Sequence, residues 1–221
     1  AADQVKECTY LPAKQTMAAE DFDAAAEMFK SIAGYKDSDD LYVQCVYSSA
    51  AALADSGEYD RAIALYETIP DYDDVARQLR QTKYKRADQL EKDGKLSEAA
   101  AAFDELGTYS DAQDRANAAR YAYAQEAFDE GLYGVASERF EALGRYSDSR
   151  TRVKECAYEL ALLSEKSGEL QKAYDALTAI EDYEPAQTKA KEVIYALGEE
   201  LYNSGALMEA SEKFRLAGKY E

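Results

Sequence analysis

A tyrosine recurs every 37 residues at Tyr35, Tyr72, Tyr109, Tyr146, Tyr183 and Tyr220. A second series, Tyr10, Tyr47, Tyr84, Tyr121, Tyr158 and Tyr195, keeps the same step. Alanine does likewise at Ala25, Ala62, Ala99, Ala136, Ala173 and Ala210. Glycine follows at Gly57, Gly94, Gly131, Gly168 and Gly205, with Glu20 in the missing place. A period this strict over six copies allows few folds. Each copy is one supersecondary unit too small to close its own core, so it buries its apolar faces against its neighbours. No linker rich in Pro, Gly or Ser interrupts the pattern, and residues 1–221 are expected to form one domain with repeats at 1–37, 38–74, 75–111, 112–148, 149–185 and 186–221.

Within one copy, the spacing predicts a long helix from Leu41 to Asp55, a turn at Gly57, a shorter helix from Tyr59 to Ile69 and a closing Tyr72. At 100° per residue, Tyr42, Cys45, Val46, Ser49, Ala50 and Leu53 cover an arc of roughly 140°, and Tyr47 extends it. So wide an arc implies burial against helices on two sides. The Ala50 column continues as Ala87, Ala124, Ala161 and Gly198, always small, as close helix approach requires. The second helix carries a narrower stripe, Tyr59, Ala62, Tyr66 and Ile69, with spacings of three, four and three. That is a single amphipathic face, which folds back on the first helix through the left-handed turn that glycine permits.

The turns between copies read Tyr35-Lys36-Asp37-Ser38, Tyr72-Asp73-Asp74-Val75, Tyr109-Ser110-Asp111-Ala112, Tyr146-Ser147-Asp148-Ser149 and Tyr183-Glu184-Pro185-Ala186. An aspartate just before a helix is expected to cap it, its carboxylate accepting from free N–H groups of the first turn. Pro185 suits a first-turn position, where its missing donor costs nothing. The acidic clusters lack the Gly at position 6 and the Glu at position 12 of a calcium loop, so capping is preferred to metal binding.

The net charge of −18, with no histidine, argues against nucleic acid, where affinity comes largely from cations neutralising phosphates. Anionic membranes are disfavoured for the same reason. No run approaches the roughly 18 apolar residues of a membrane span, and direct membrane contact is not expected. Cys8, Cys45 and Cys156 share one register. Equivalent positions in neighbouring copies lie at least one interhelix distance apart, about 8–10 Å, beyond the roughly 7 Å limit for a disulfide. They are read as small apolar core residues rather than as metal ligands or redox groups. Free thiols favour a reducing, cytoplasmic compartment, with the extracellular part of a membrane-anchored protein as the alternative. The pattern is under way at Ala1 and stops at Glu221 where another helix could begin, so a longer parent protein is expected.

The small residue at Ala50, then Gly57, Ala62, the aromatic Tyr66 and the apolar Ile69 resemble a tetratricopeptide repeat in order and spacing. The combination Gly-x-Tyr/Leu-x-x-Ala with Tyr-x-Asp-Ser/Ala is similar to the TPR-like arrays of Gram-positive bacterial proteins. The period departs from the usual roughly 34 residues, tryptophan is absent, and Asp74, Asp111 or Asp148 stands where a proline often closes the unit. The resemblance implies an all-α, right-handed TPR-like α-solenoid of six helix-turn-helix repeats, about twelve helices. It also implies a non-enzymatic module that binds a peptide or partner protein on the concave face of its first helices.

Carried over by register, that face includes Tyr47, Tyr84, Tyr121, Phe128, Tyr158 and Tyr195. The tyrosines serve either recognition, as rigid amphipathic rings with a hydroxyl, or packing between copies with the hydroxyl wet. Arg80 and Lys83, with Arg77, Lys85 and Arg86, gather on one helix of an otherwise acidic chain. They either dock an acidic segment of a partner or pair with carboxylates of adjacent copies, a kind of contact that contributes only about 0–1 kcal/mol. No catalytic residue, metal site or cofactor is expected. The rival to a binding module is a structural spacer or assembly segment, and the uncovered last helix, with Leu207, Phe214 and Leu216, is expected to promote end-to-end self-association.

Overall fold

The computed structural model describes residues 2–218, and among them every regular element is helical. Six helix pairs follow one another: α1 (Ala2–Ala18) with α2 (Phe22–Ser31), α3 (Ser38–Ser56) with α4 (Tyr59–Tyr66), and α5 (Val75–Lys92) with α6 (Leu96–Glu105). Then come α7 (Ala112–Asp129) with α8 (Tyr133–Leu143), α9 (Ser149–Lys166) with α10 (Leu170–Thr178), and α11 (Glu184–Asn203) with α12 (Leu207–Ala217). Tyr220 lies outside the described residues. In the second pair the first helix begins at Ser38, three residues before the expected Leu41, and ends at Ser56, one past the expected Asp55; the second is shorter than expected, α4 ending at Tyr66 and leaving Ile69 buried in the turn.

The turn inside each pair is fixed by backbone geometry. Gly57 ends α3 at φ 86°, a left-handed conformation in which a Cβ is strained. Glu20 occupies the same place with φ 62° and bears that strain itself. Between pairs a second left-handed residue appears, at Lys36, Asp73, Ser110 and Ser147, none of them glycine.

Contacts divide the chain into two compact units, Ala1–Ala116 and Asn117–Glu221. In the first, α1 through α6 each pack on their sequence neighbours, and one core runs from Tyr10 and Phe29 through Cys45, Val46, Ala50 and Tyr66 to Val75. In the second, α8 packs on α9, α9 on α10, α10 on α11 and α11 on α12. One cluster there joins Ala124, Ala136, Phe140 and Cys156, and another joins Ala161, Ala173, Leu177, Ala186 and Val193. The central alanine column of the second helices is buried in all six repeats. The aromatic one turn later, Phe29, Tyr66, Phe103 or Phe140, is fully enclosed, each contributing about 1.5–3 kcal/mol by burial. At Gly198, the glycine of the small column, the ring of Phe214 fills the space a Cβ would need, with Cε1 2.7 Å from that position.

The cysteine register holds for Cys45 and Cys156, which are buried, their thiols pushed up to about 11 by burial. It fails for Cys8, which is exposed. The three thiols are free.

Candidate functional site

The tyrosines of the first helices stand at the joints between repeats. Tyr10 donates its hydroxyl to Asp37 Oδ1 at 2.5 Å, Tyr47 to Asp74 at 2.7 Å, Tyr84 to Asp111 at 2.5 Å and Tyr121 to Asp148 at 2.5 Å. Each ring meets two others at an angle: Tyr47 lies 5.9 Å from Tyr66 and 5.5 Å from Tyr72, Tyr84 5.5 Å from Phe103, and Tyr121 5.3 Å from Phe140. Angled aromatic contacts add about 0.5–1.5 kcal/mol beyond area burial. The ladder therefore ties the long helix of one repeat to the turn that opens the next, while Tyr47, Tyr84 and Tyr121 keep part of the ring in solvent.

This geometry corrects the expected role of the aspartates. Asp37, Asp74 and Asp148 occupy the N-cap position but their carboxylates accept no hydrogen bond from the backbone N–H groups of the first turn. Their backbone lies near φ −100°, ψ 20° rather than in the extended region of a capping residue, and the carboxylate goes to tyrosine instead. Asp21, at the start of α2, does cap, accepting from the N–H of Ala24 at 3.2 Å. The tyrosine hydroxyl holds Asp37, Asp74 and Asp111 below the ordinary carboxylate value. In turn, the bond to Asp74 raises Tyr47, and burial, then the bond to Asp148, pushes Tyr121 up to about 12.

A second column, invisible as a motif because it changes residue type, runs Gln78, Arg115, Arg152 and Lys189. Arg115 lies 4.6 Å over Phe103 and 5.6 Å over Tyr84, donates to the Tyr84 hydroxyl at 3.2 Å, and pairs with Asp88 at 2.8 Å and with Glu91. Arg152 lies 4.2 Å over Phe128, donates to Gln125 at 2.7 Å and pairs with Glu155. Phe128 is thus covered on one face by Arg152 and met at its side by Tyr133 at 5.2 Å. Arginine on an aromatic face is worth roughly 0.5–2 kcal/mol, more as water is excluded.

The basic helix α5 is mostly paired within the chain. Lys83 bonds Glu67 at 2.9 Å, Lys85 lies 3.7 Å from Asp55, Arg86 pairs with Asp60, and Arg77 pairs with Asp74. Arg80 is exposed and donates to the carbonyl of Ala76 at 3.2 Å. Arg80, Lys83 and Tyr84 share α5; Tyr121 and Phe128 share α7; Tyr158 is on α9, and Tyr195 is on α11, 5.3 Å from Phe214.

The ladder breaks at Tyr158. The equivalent of its aspartate is Pro185, and the equivalent of Phe140 is Leu177. Among the described residues, Tyr158 keeps a ring contact with Tyr183 at 5.8 Å and its hydroxyl has no hydrogen-bond partner. In this turn the left-handed residue is Asp182, two places before Glu184, the counterpart of Lys36, Asp73, Ser110 and Ser147, and α11 starts at Glu184. At this joint a cleft of about 510 Å³ is lined by Tyr158, Leu162, Glu184, Pro185, Thr188, Lys189 and Glu192.

Among the described residues no group of three or more His, Cys, Asp or Glu side chains is placed to hold a metal ion, and no helix is long and apolar enough to cross a membrane. No protein-family model matches the chain, and no curated protein matches it. Among solved structures, a Q17M protein from Podospora anserina, described as a kinesin light chain with nearly identical TPR-like repeats, is similar at 15% identity. The match covers 79% of this chain and 92% of that one, with a TM-score of 0.22. So loose a superposition decides nothing about this chain, whose helix-pair architecture rests on its own contacts.

Proposed function

We propose that residues 1–221 act as a protein-interaction module that performs no chemistry of its own and binds a peptide or partner protein on the face made by its first helices. The observation that carries this reading is the tyrosine series itself. Tyr47, Tyr84, Tyr121 and Tyr158 repeat in register with their rings half exposed, giving flat, rigid area at low entropy cost beside charged groups. Phe128, Tyr195, Arg80 and Lys83 belong to the same proposed surface.

The test is capture of partners from the source organism on the immobilised chain, compared with Tyr84→Phe, Tyr121→Phe and Tyr158→Phe together and with Arg80→Glu/Lys83→Glu. The variants are first matched by thermal melt, because the ladder also holds the joints. A partner that is retained by the chain and lost with either set supports the reading. Retention of nothing above a charge-matched control sinks it.

A structural spacer or assembly segment is favoured by two different observations. The basic residues of α5 are engaged with carboxylates of the preceding repeat, so that surface is partly spent on internal ties. The last helix leaves Leu207, Met208 and Leu216 exposed, the first of them in the stripe that faces the core in other repeats. End-to-end association through α12 follows from this reading, and light scattering that reports a monomer up to high concentration would refute it.

A further inference from the structure

We infer that the cleft at the broken joint, between α9 and α11, is a docking site for an arginine side chain of a basic partner segment. The inference rests on the interaction-module reading and gives it a place and a chemistry.

The chain itself shows one arginine seated on a ladder tyrosine, and part of that seat recurs in the cleft: Asp88 and Glu91 have Leu162 and the Lys189-bound Glu165 as counterparts, and Glu184 is the carboxylate left on the rim. At the joint of Tyr84, the guanidinium of Arg115 lies over the phenol ring, donates to its hydroxyl at 3.2 Å and is held by two carboxylates, Asp88 and Glu91. At Tyr158 the same ring stands without the cation. The residue in the arginine column is Lys189, whose ammonium is drawn between Glu165 and Glu192 at 3.0 Å each. Among the described residues no cation lies over the Tyr158 ring. Its hydroxyl, which lacks the aspartate that Pro185 replaces, is free to accept.

Charge selects the occupant. Lys189 is already balanced by two carboxylates, and Glu184 adds a further negative charge to the rim, so the cleft is acidic in net. Leu162, Pro185 and the Tyr158 ring supply apolar walls along which an arginine stem packs while its head stays polar. A carboxylate ligand would meet repulsion here. Lysine fits less well, because a point charge cannot both cover the ring and fork to a carboxylate. A chain of net charge −18 draws such a segment in from solution.

The test uses the full chain and three short probes, acetyl-Gly-Arg-Gly-amide, its citrulline counterpart, which keeps the shape without the charge, and acetyl-Gly-Glu-Gly-amide. Binding is followed by amide and tyrosine-ring NMR shifts. The arginine probe should move Tyr158 and Thr188 in a saturable way, and the citrulline and glutamate probes should not. Lys189→Arg, which offers the ring the chain's own guanidinium, and Pro185→Asp, which restores the missing rung, should each weaken the arginine probe about tenfold with helicity unchanged by circular dichroism.

Equal binding of arginine and citrulline probes, shifts spread evenly over the acidic surface, or indifference to both substitutions would overturn the assignment. A captured partner whose binding ignores Lys189→Arg and Pro185→Asp also overturns it while leaving the interaction module standing. Arginine-probe binding at Tyr158, blocked by both variants although no partner is captured, keeps the cleft and removes the module.

Discussion

Tyr121→Phe isolates the tie between repeats. The substitution keeps the ring against Phe140 at 5.3 Å and removes only the hydroxyl that donates to Asp148 at 2.5 Å. A hydrogen bond to a charged acceptor is worth about 1.5–3 kcal/mol where water is excluded. This one sits at the solvent edge, where water takes over both partners, so the expected loss is about 1 kcal/mol. In a chain of this size that lowers the melting midpoint by about 2–4 °C. Tyr158→Phe is the internal reference. It removes the same atom from the same register, but Pro185 offers no acceptor, and the expected change is within about 0.5 kcal/mol. Urea unfolding followed by circular dichroism measures both, with Asp148→Asn closing a double-mutant cycle whose coupling should be about 1 kcal/mol. Equal costs at Tyr121 and Tyr158, or a coupling near zero, would show that the ladder is held by ring packing alone.

Four further outcomes follow from the geometry. Ala136→Leu places a large side chain at a fully buried helix crossing and should cost about 1–3 kcal/mol by overpacking; an unchanged denaturation midpoint would contradict the assignment of that crossing. Glu20→Gly relieves a side chain held at φ 62° and should raise stability by up to about 1 kcal/mol in the same assay, even though glycine gains more freedom when unfolded. At alkaline pH, Tyr47, Tyr66 and Tyr121 carry values raised above the ordinary 10.0, the last two to about 12. Their stabilisation is therefore whole below about pH 10 and lost as pH climbs toward 12, which phenolate absorbance and helicity should report together. On the acid side, Asp37, Asp74 and Asp111 are lowered, so their contribution is whole above the ordinary carboxylate value of 3.8 and fades as pH falls through the depressed values.

The repeat, the helix pairs and the buried columns were legible because each rests on local rules that the 37-residue period writes out six times. Ala25 and its equivalents had to be small, and Gly57 and its equivalents had to turn left-handed; both hold in the structure. The partners of polar side chains were not legible in the same way. Asp74 and Tyr47 are each visible in their own columns, yet nothing local says that a hydroxyl will claim a carboxylate 27 residues later. A reading by local rules gives that carboxylate to the helix it precedes, and the backbone near ψ 20° turns it elsewhere. At the one joint where the aspartate column breaks, to Pro185, the tyrosine column keeps Tyr158, so the two columns do not change together and leave no signal of the pair.

Sequence alone determined which residues face inward and where the chain turns, since side-chain volume, helical period and left-handed backbone act over a few residues. Tertiary structure decided what the surface does with its charges. It set Arg115 on Tyr84, drew Lys189 away from Tyr158 and exposed Cys8 while enclosing Cys45 and Cys156. Those outcomes depend on which neighbouring helix lies within a few ångströms, and electrostatic and aromatic contacts of that reach exist only once the repeats have packed.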